Sequence, residues 1–120
     1  MKEFQTYLNN ISPIKKETFE ELQKHFKVVQ LRKNEFFVRE GEFAQQIGFL
    51  KAGIIRAFFQ NREGKEYSKQ FFVAPSMVGA YSSLLTKQQN QIAQQALTDC
   101  EILVADFTKI EALYLSLIHI

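Results

Sequence analysis

At 120 residues the chain is long enough for one hydrophobic core and too short for two. Fifteen Lys/Arg against thirteen Asp/Glu leave a net charge of +2, with the basic residues spread from Lys2 to Lys109, so charge alone gives no argument for a nucleic-acid reader. No apolar run reaches the roughly 20 residues of a membrane helix and no cationic-then-apolar leader opens the sequence, which makes a cytoplasmic protein with no membrane partner the expectation.

Met1 to Asn10 is weakly helical. Ser12 followed by Pro13 then marks a helix start, with serine as N-cap and proline in the first turn. Ile14, Thr18, Phe19, Leu22 and Phe26 recur at helical spacing, with Lys15, Lys16, Glu20 and Lys24 on the other side. That pattern predicts an amphipathic helix that packs one face onto a larger body. His25 near its end suits the negative pole of the helix dipole.

From Lys27 the period becomes strand-like. Val28 to Leu31, Glu35 to Val38, Gln46 to Lys51, Ile54 to Gln60 and Lys65 to Val73 are apolar or β-branched runs, separated by turns at Lys33-Asn34, Gly41, Ala52-Gly53 and Asn61 to Gly64. Turn signals about every 8 to 12 residues between such runs predict an antiparallel sandwich, barrel or roll. Asn90 to Leu97 and Glu101 to Ala105 complete the strand set. Asp106 or Thr108 can cap a following helix, and Thr108 with Glu111 forms a capping box.

The stretch from Phe71 to Cys100 draws most of the functional interest. Its strand end breaks at Ala74, Pro75 and Ser76, then Val78, Gly79 and Ala80 lead into a short helical turn from Tyr81 to Leu85 and a polar loop from Lys87 to Asn90. A glycine turn feeding a helix exposes unpaired backbone N–H groups, which favour an anion. The glutamines at 88, 89, 91, 94 and 95 alternate with Ile92, Ala93 and Ala96, which reads as a solvated strand face.

Catalytic and metal chemistry find little support. His25 and His119 are too few for a cupin-type metal centre, and Cys100 alone supplies neither an iron–sulfur cluster nor a disulfide. Cys100 reads as a small buried side chain. With no histidine partnered to a nucleophile, a non-catalytic protein with no resident cofactor is expected.

The ordered set Phe37-Val38-Arg39-Glu40-Gly41-Glu42, Ile47-Gly48-Phe49-Leu50-Lys51-Ala52-Gly53, Gly64-Lys65-Glu66 and Val78-Gly79 resembles the cyclic-nucleotide-binding domain of the CRP/FNR transcription regulators. The resemblance implies a mainly β fold with flanking helices, an antiparallel β-roll or double-stranded β-helix jelly roll. The domain would span 1–113: N-terminal helices over 1–26, the roll over 27–105 with a short helix near 81–85, and the start of an exit helix over 106–113. Ala112 to Ile120 has no charged side chain, so 114–120 is set aside as a doubtful tail. In that family the exit helix drives dimerisation and leads to a helix-turn-helix domain. DNA would be met only through that domain, which this sequence lacks, and a homodimer is left open.

Family members that bind cyclic AMP carry a Phe-Gly-Glu turn, and eleven residues past its glycine an arginine followed by a small hydroxyl residue. Counting along this chain, Gly79 keeps its place, Ala80 replaces the glutamate, Asn90 the arginine and Gln91 the hydroxyl residue. Charged hydrogen bonds contribute about 1.5–3 kcal/mol each, so losing two weakens cyclic AMP on the order of a hundredfold or more. The expectation is an unidentified small-molecule effector, with cyclic nucleotide disfavoured, held by Gly79, Ala80, Tyr81, Ser82, Asn90 and Gln91, with Ser83 beside them. The alternative is a stand-alone, non-catalytic interaction or dimerisation module whose pocket is filled by its own side chains.

Overall fold

The computed structural model describes residues 2–11 and 13–118, with side chains as far as residue 113. Two short helices, α1 (Lys2–Ile11) and α2 (Lys16–Gln23), lead into strands β1 (Lys27–Leu31), β2 (Phe36–Val38), β3 (Gln46–Ala52), β4 (Ile54–Gln60), β5 (Glu66–Val73) and β6 (Ser76–Val78). The short helix α3 (Tyr81–Thr86), strands β7 (Ala93–Ala96) and β8 (Cys100–Asp106), and the helix α4 (Phe107–Ile118) complete the chain.

The strands form two four-stranded antiparallel sheets, ordered β1-β8-β3-β6 and β2-β7-β4-β5. This is the mainly β jelly roll with flanking helices that the turn spacing and the family resemblance imply. Between the sheets lies a core of Leu50, Ile55, Val78, Ala96, Cys100, Ile102 and Val104. Cys100 is buried as a small apolar side chain.

The first sheet is covered on both faces, and the alternation of strand side chains shows how. On β3, Leu50 faces the inter-sheet core while Ile47 and Phe49 face the helices; on β8, Ile102 and Val104 point inward while Leu103 and Ala105 point outward. The helical layer is seated by Phe4 of α1, which is 1% exposed. Its ring lies 4.8 Å from Phe49, 4.9 Å from Phe26 and 5.9 Å from Phe19.

Several local expectations are corrected. The expected helix from Ile14 through Phe26 starts later, at Lys16, after an extended Lys15 that supplies no side-chain cap, so Pro13 precedes the helix. Ser12, expected as N-cap, lies outside the described residues. Of the two caps expected for the last helix, Asp106 serves in place of the Thr108–Glu111 capping box: its carboxylate accepts from the Thr108 N–H at 2.9 Å. Phe107 is already helical, so the orphan donor within reach of a cap is that of Thr108. The stretch set aside from residue 114 continues the backbone of α4 to Ile118, and residues 119–120 lie outside the description. Strand β6 was not anticipated. It pairs with β3, Gly48 opposite Val78, and thereby carries the chain to Gly79.

Candidate functional site

The chain leaves β6 at Gly79 with φ +148°, a value that favours glycine, and enters α3 through Ala80, which caps without a side-chain hydrogen bond. Ser83 then fixes the helix to its surroundings. Its hydroxyl donates to the Gln88 carbonyl at 2.6 Å and accepts from the Ala44 N–H at 3.0 Å. With Ser83 only 4% exposed, this hydroxyl is committed to structure and does not line the cleft.

Between the start of α3 and the second sheet lies a cleft of about 170 Å³, lined by Ala57, Lys69, Gln70, Phe72, Gly79, Ala80, Tyr81, Ser82, Asn90, Ile92 and Gln94. Five of the six residues expected from the sequence meet here. The sixth, Gln91, is exposed and does not line the cleft.

Asn90 lines the cleft with its polar groups already engaged. Its side-chain amide donates to the carbonyls of Arg39 at 3.0 Å and Ile92 at 2.6 Å, and its Oδ1 accepts from the Ile92 N–H at 3.1 Å. Its backbone joins the Glu42 carbonyl and the Gly41 N–H, both at 2.7 Å. Asn90 therefore fastens the Gly41 turn to the loop before β7.

Gln94 departs from the solvated face expected of the glutamines. Paired with Ala57 of β4 and Val38 of β2, it is 3% exposed and points into the roll. Its Nε2 donates to the Gly79 carbonyl at 3.1 Å, while Oε1 has no partner among the described residues. Tyr81 lines the cleft and is partly exposed. Burial raises the pKa of its phenol above the ordinary value, and repulsion from Tyr7 of α1 adds to the rise.

Sequence reasoning missed Ala57, Lys69, Gln70, Phe72, Ile92 and Gln94. The strand pattern placed Lys69, Gln70 and Phe72 on one run, but only the pairing of β5 with β4 brings that run to the cleft. Among the cleft residues Lys69 is the one cation, and none is a carboxylate.

The cyclic nucleotide-binding domain family model matches residues 28–116. The chain belongs to this family. No curated protein sequence gives a significant match. Among solved structures, the cyclic nucleotide-binding domain resembles the catabolite activator protein of Thermus thermophilus with a TM-score of 0.77 at 18% identity, covering 88% of this chain and 49% of that one. The c-di-GMP responsive global regulator CLP of Xanthomonas campestris gives 0.72 at 15% identity, covering 83% and 48%. A regulatory subunit of a cAMP-independent protein kinase A from Trypanosoma cruzi, bound to guanosine, gives 0.70 at 12% identity, covering 78% and 32%. At these identities the likeness is one of fold, and the chain spans about half or less of each of these proteins.

Proposed function

We propose that this domain is the ligand-sensing part of a CRP/FNR-type transcription regulator and that its ligand is not cyclic AMP. The observation that carries the second half is the state of Asn90. At the position where the family's cyclic AMP binders place an arginine, this chain has a neutral amide that its own backbone carbonyls occupy. Ala80, in place of the glutamate, offers no side-chain acceptor. The guanosine-bound Trypanosoma cruzi subunit supports the reading, since guanosine carries no phosphate and so needs no phosphate-binding arginine.

Dimerisation and DNA contact belong, in this reading, to parts of a longer protein into which α4 leads. These 120 residues should therefore show no sequence-specific retardation of DNA in a gel shift, and specific retention would refute the assignment.

The ligand half is tested by thermal shift with cyclic AMP, cyclic GMP, adenosine and guanosine at micromolar concentration. Cyclic AMP should leave Tm unchanged. A stabilisation of several degrees by cyclic AMP would overturn the proposal.

A further inference from the structure

We infer that Gln94 selects the ligand, presenting its side-chain carbonyl oxygen to an N–H donor on a nucleobase-sized ring held in the cleft. The inference rests on the sensor reading above and sharpens it.

The orientation of the amide is set by its neighbour. Because Gly79 offers a carbonyl, the end of Gln94 that meets it at 3.1 Å has to be the donor, which leaves Oε1 as a dry acceptor. Turning the amide over would break that bond and set two oxygens against each other. Buried polar atoms are nearly always paired, so this orphan carbonyl, carried by a residue that lines the cleft, gains from a donor that arrives from outside.

The other walls narrow the class. Ala57 and Gly79 add almost no bulk beside Gln94, and Phe72 and Ile92 supply apolar surface against which a flat ring can lie. A volume of about 170 Å³ falls below the roughly 300–1,000 Å³ of sites that take drug-sized ligands, so a single ring system fits better than a whole nucleotide. An acceptor oxygen repels phosphate oxygens and rewards an amino group, so Gln94 reads a ring donor and adds nothing to phosphate recognition. A site that must hydrogen-bond its ligand rejects the analogue lacking the donor, because the buried group is then left unpaired.

The test is ligand-observed NMR on the full chain with adenosine, cytidine and guanosine, each against its counterpart dimethylated on the exocyclic amino nitrogen. At least one amino-bearing nucleoside should bind, and both dimethylation and Gln94→Met should weaken it about tenfold or more. Thermal melting checks that Gln94→Met folds. If it does not, the dimethylated probes on the unaltered chain still decide. Failure of all three nucleosides, or equal binding of a nucleoside and its dimethylated form, overturns the inference while leaving the sensor reading standing. Micromolar binding of cyclic AMP in a parallel arm would instead sink the ligand half of that reading.

Discussion

The side-chain amide of Gln94 crosses from the second sheet and holds the carbonyl of Gly79 at 3.1 Å, tying strand β7 to the turn that opens α3. One side chain thus spans the two halves of the cleft. Gln94 thereby links its wall of the cleft directly to the turn that opens α3.

That contact makes Gln94→Glu informative. A carboxylate there would face the Gly79 carbonyl in a dry site, and we expect a loss of about 3 kcal/mol or more at neutral pH. Burial raises the pKa of such a carboxyl, so the folded state binds the proton more tightly than the unfolded one. Acidification toward about pH 5 should therefore recover part of the loss relative to the unaltered chain. Urea melts at the two pH values measure it, and a loss that does not change with pH would contradict the buried placement.

How far the fold could be read from sequence depended on which residues decide each element. Strands β3 and β8 are buried on both faces, so Ile47 to Leu50 and Ile102 to Ala105 announce themselves as apolar runs. Strand β6 is only Ser76, Met77 and Val78, too short for any periodicity, and its pairing with β3 is long-range. Gln94 shows the same limit at the site. In the run Ala93-Gln94-Gln95-Ala96 a glutamine looks alike on a wet or a dry face, and only the register Ala57 to Gln94 turns Gln94 inward. Gly79, Ala80, Tyr81 and Ser82 could be gathered from sequence because they form or follow one glycine turn, and Asn90 by its count from Gly79 in the family the sequence resembles, whereas Lys69 and Phe72 arrive from a partner strand.

Asn90→Ala should cost about 2–3 kcal/mol. The substitution removes two donations and one acceptance by a side chain that is 5% exposed, and it leaves the carbonyls of Arg39 and Ile92 short of a partner. Denaturant unfolding gives the number, and amide exchange should accelerate at Gly41 and Ile92 first. A change below about 0.5 kcal/mol would mean that Asn90 is not a fastener, in line with ordinary surface substitutions.

Phe4→Ala tests the helical layer. Truncating a fully buried phenylalanine costs about 3–5 kcal/mol, and here the lost contacts are those of α1 with Phe49, Phe26 and Phe19. Hydrogen exchange should rise across α1 (Lys2–Ile11) before it rises in β3 and β8. Uniform loss of protection through the roll would show that the layer and the sheets unfold as one.

Glu66 supplies a pH dependence on the outer face of the second sheet. Its hydrogen bond from Arg56 at 2.8 Å, then one from Gln60, hold its pKa below the ordinary carboxylate value. A depressed pKa means that the stabilisation is present above the unfolded-state value and is lost as pH falls through the folded-state value. Its size is small, since Glu66 is solvent-exposed and screened. Glu66→Gln should flatten the stability profile in the acid range below about pH 4.5 and leave it parallel to the unaltered chain at neutral pH. A profile that diverges only above neutrality would refute the assignment.

Gly53 offers the sharpest backbone test, because conformation and space agree there. The residue sits at φ +105° in the turn between β3 and β4, and a Cβ would lie 2.6 Å from the Asp99 carbonyl oxygen and 2.6 Å from the Cys100 sulfur. The Asp99 oxygen belongs to the backbone and cannot swing away. Gly53→Ala combines about 1–3 kcal/mol of conformational strain with a steric clash, for an expected loss of about 2–4 kcal/mol. By contrast, Gly64→Ala at φ +82° meets nothing within 4 Å, so only the strain should register. Thermal melts of the two variants side by side separate the contributions, and equal losses would show that the turn relaxes away from Asp99 and Cys100.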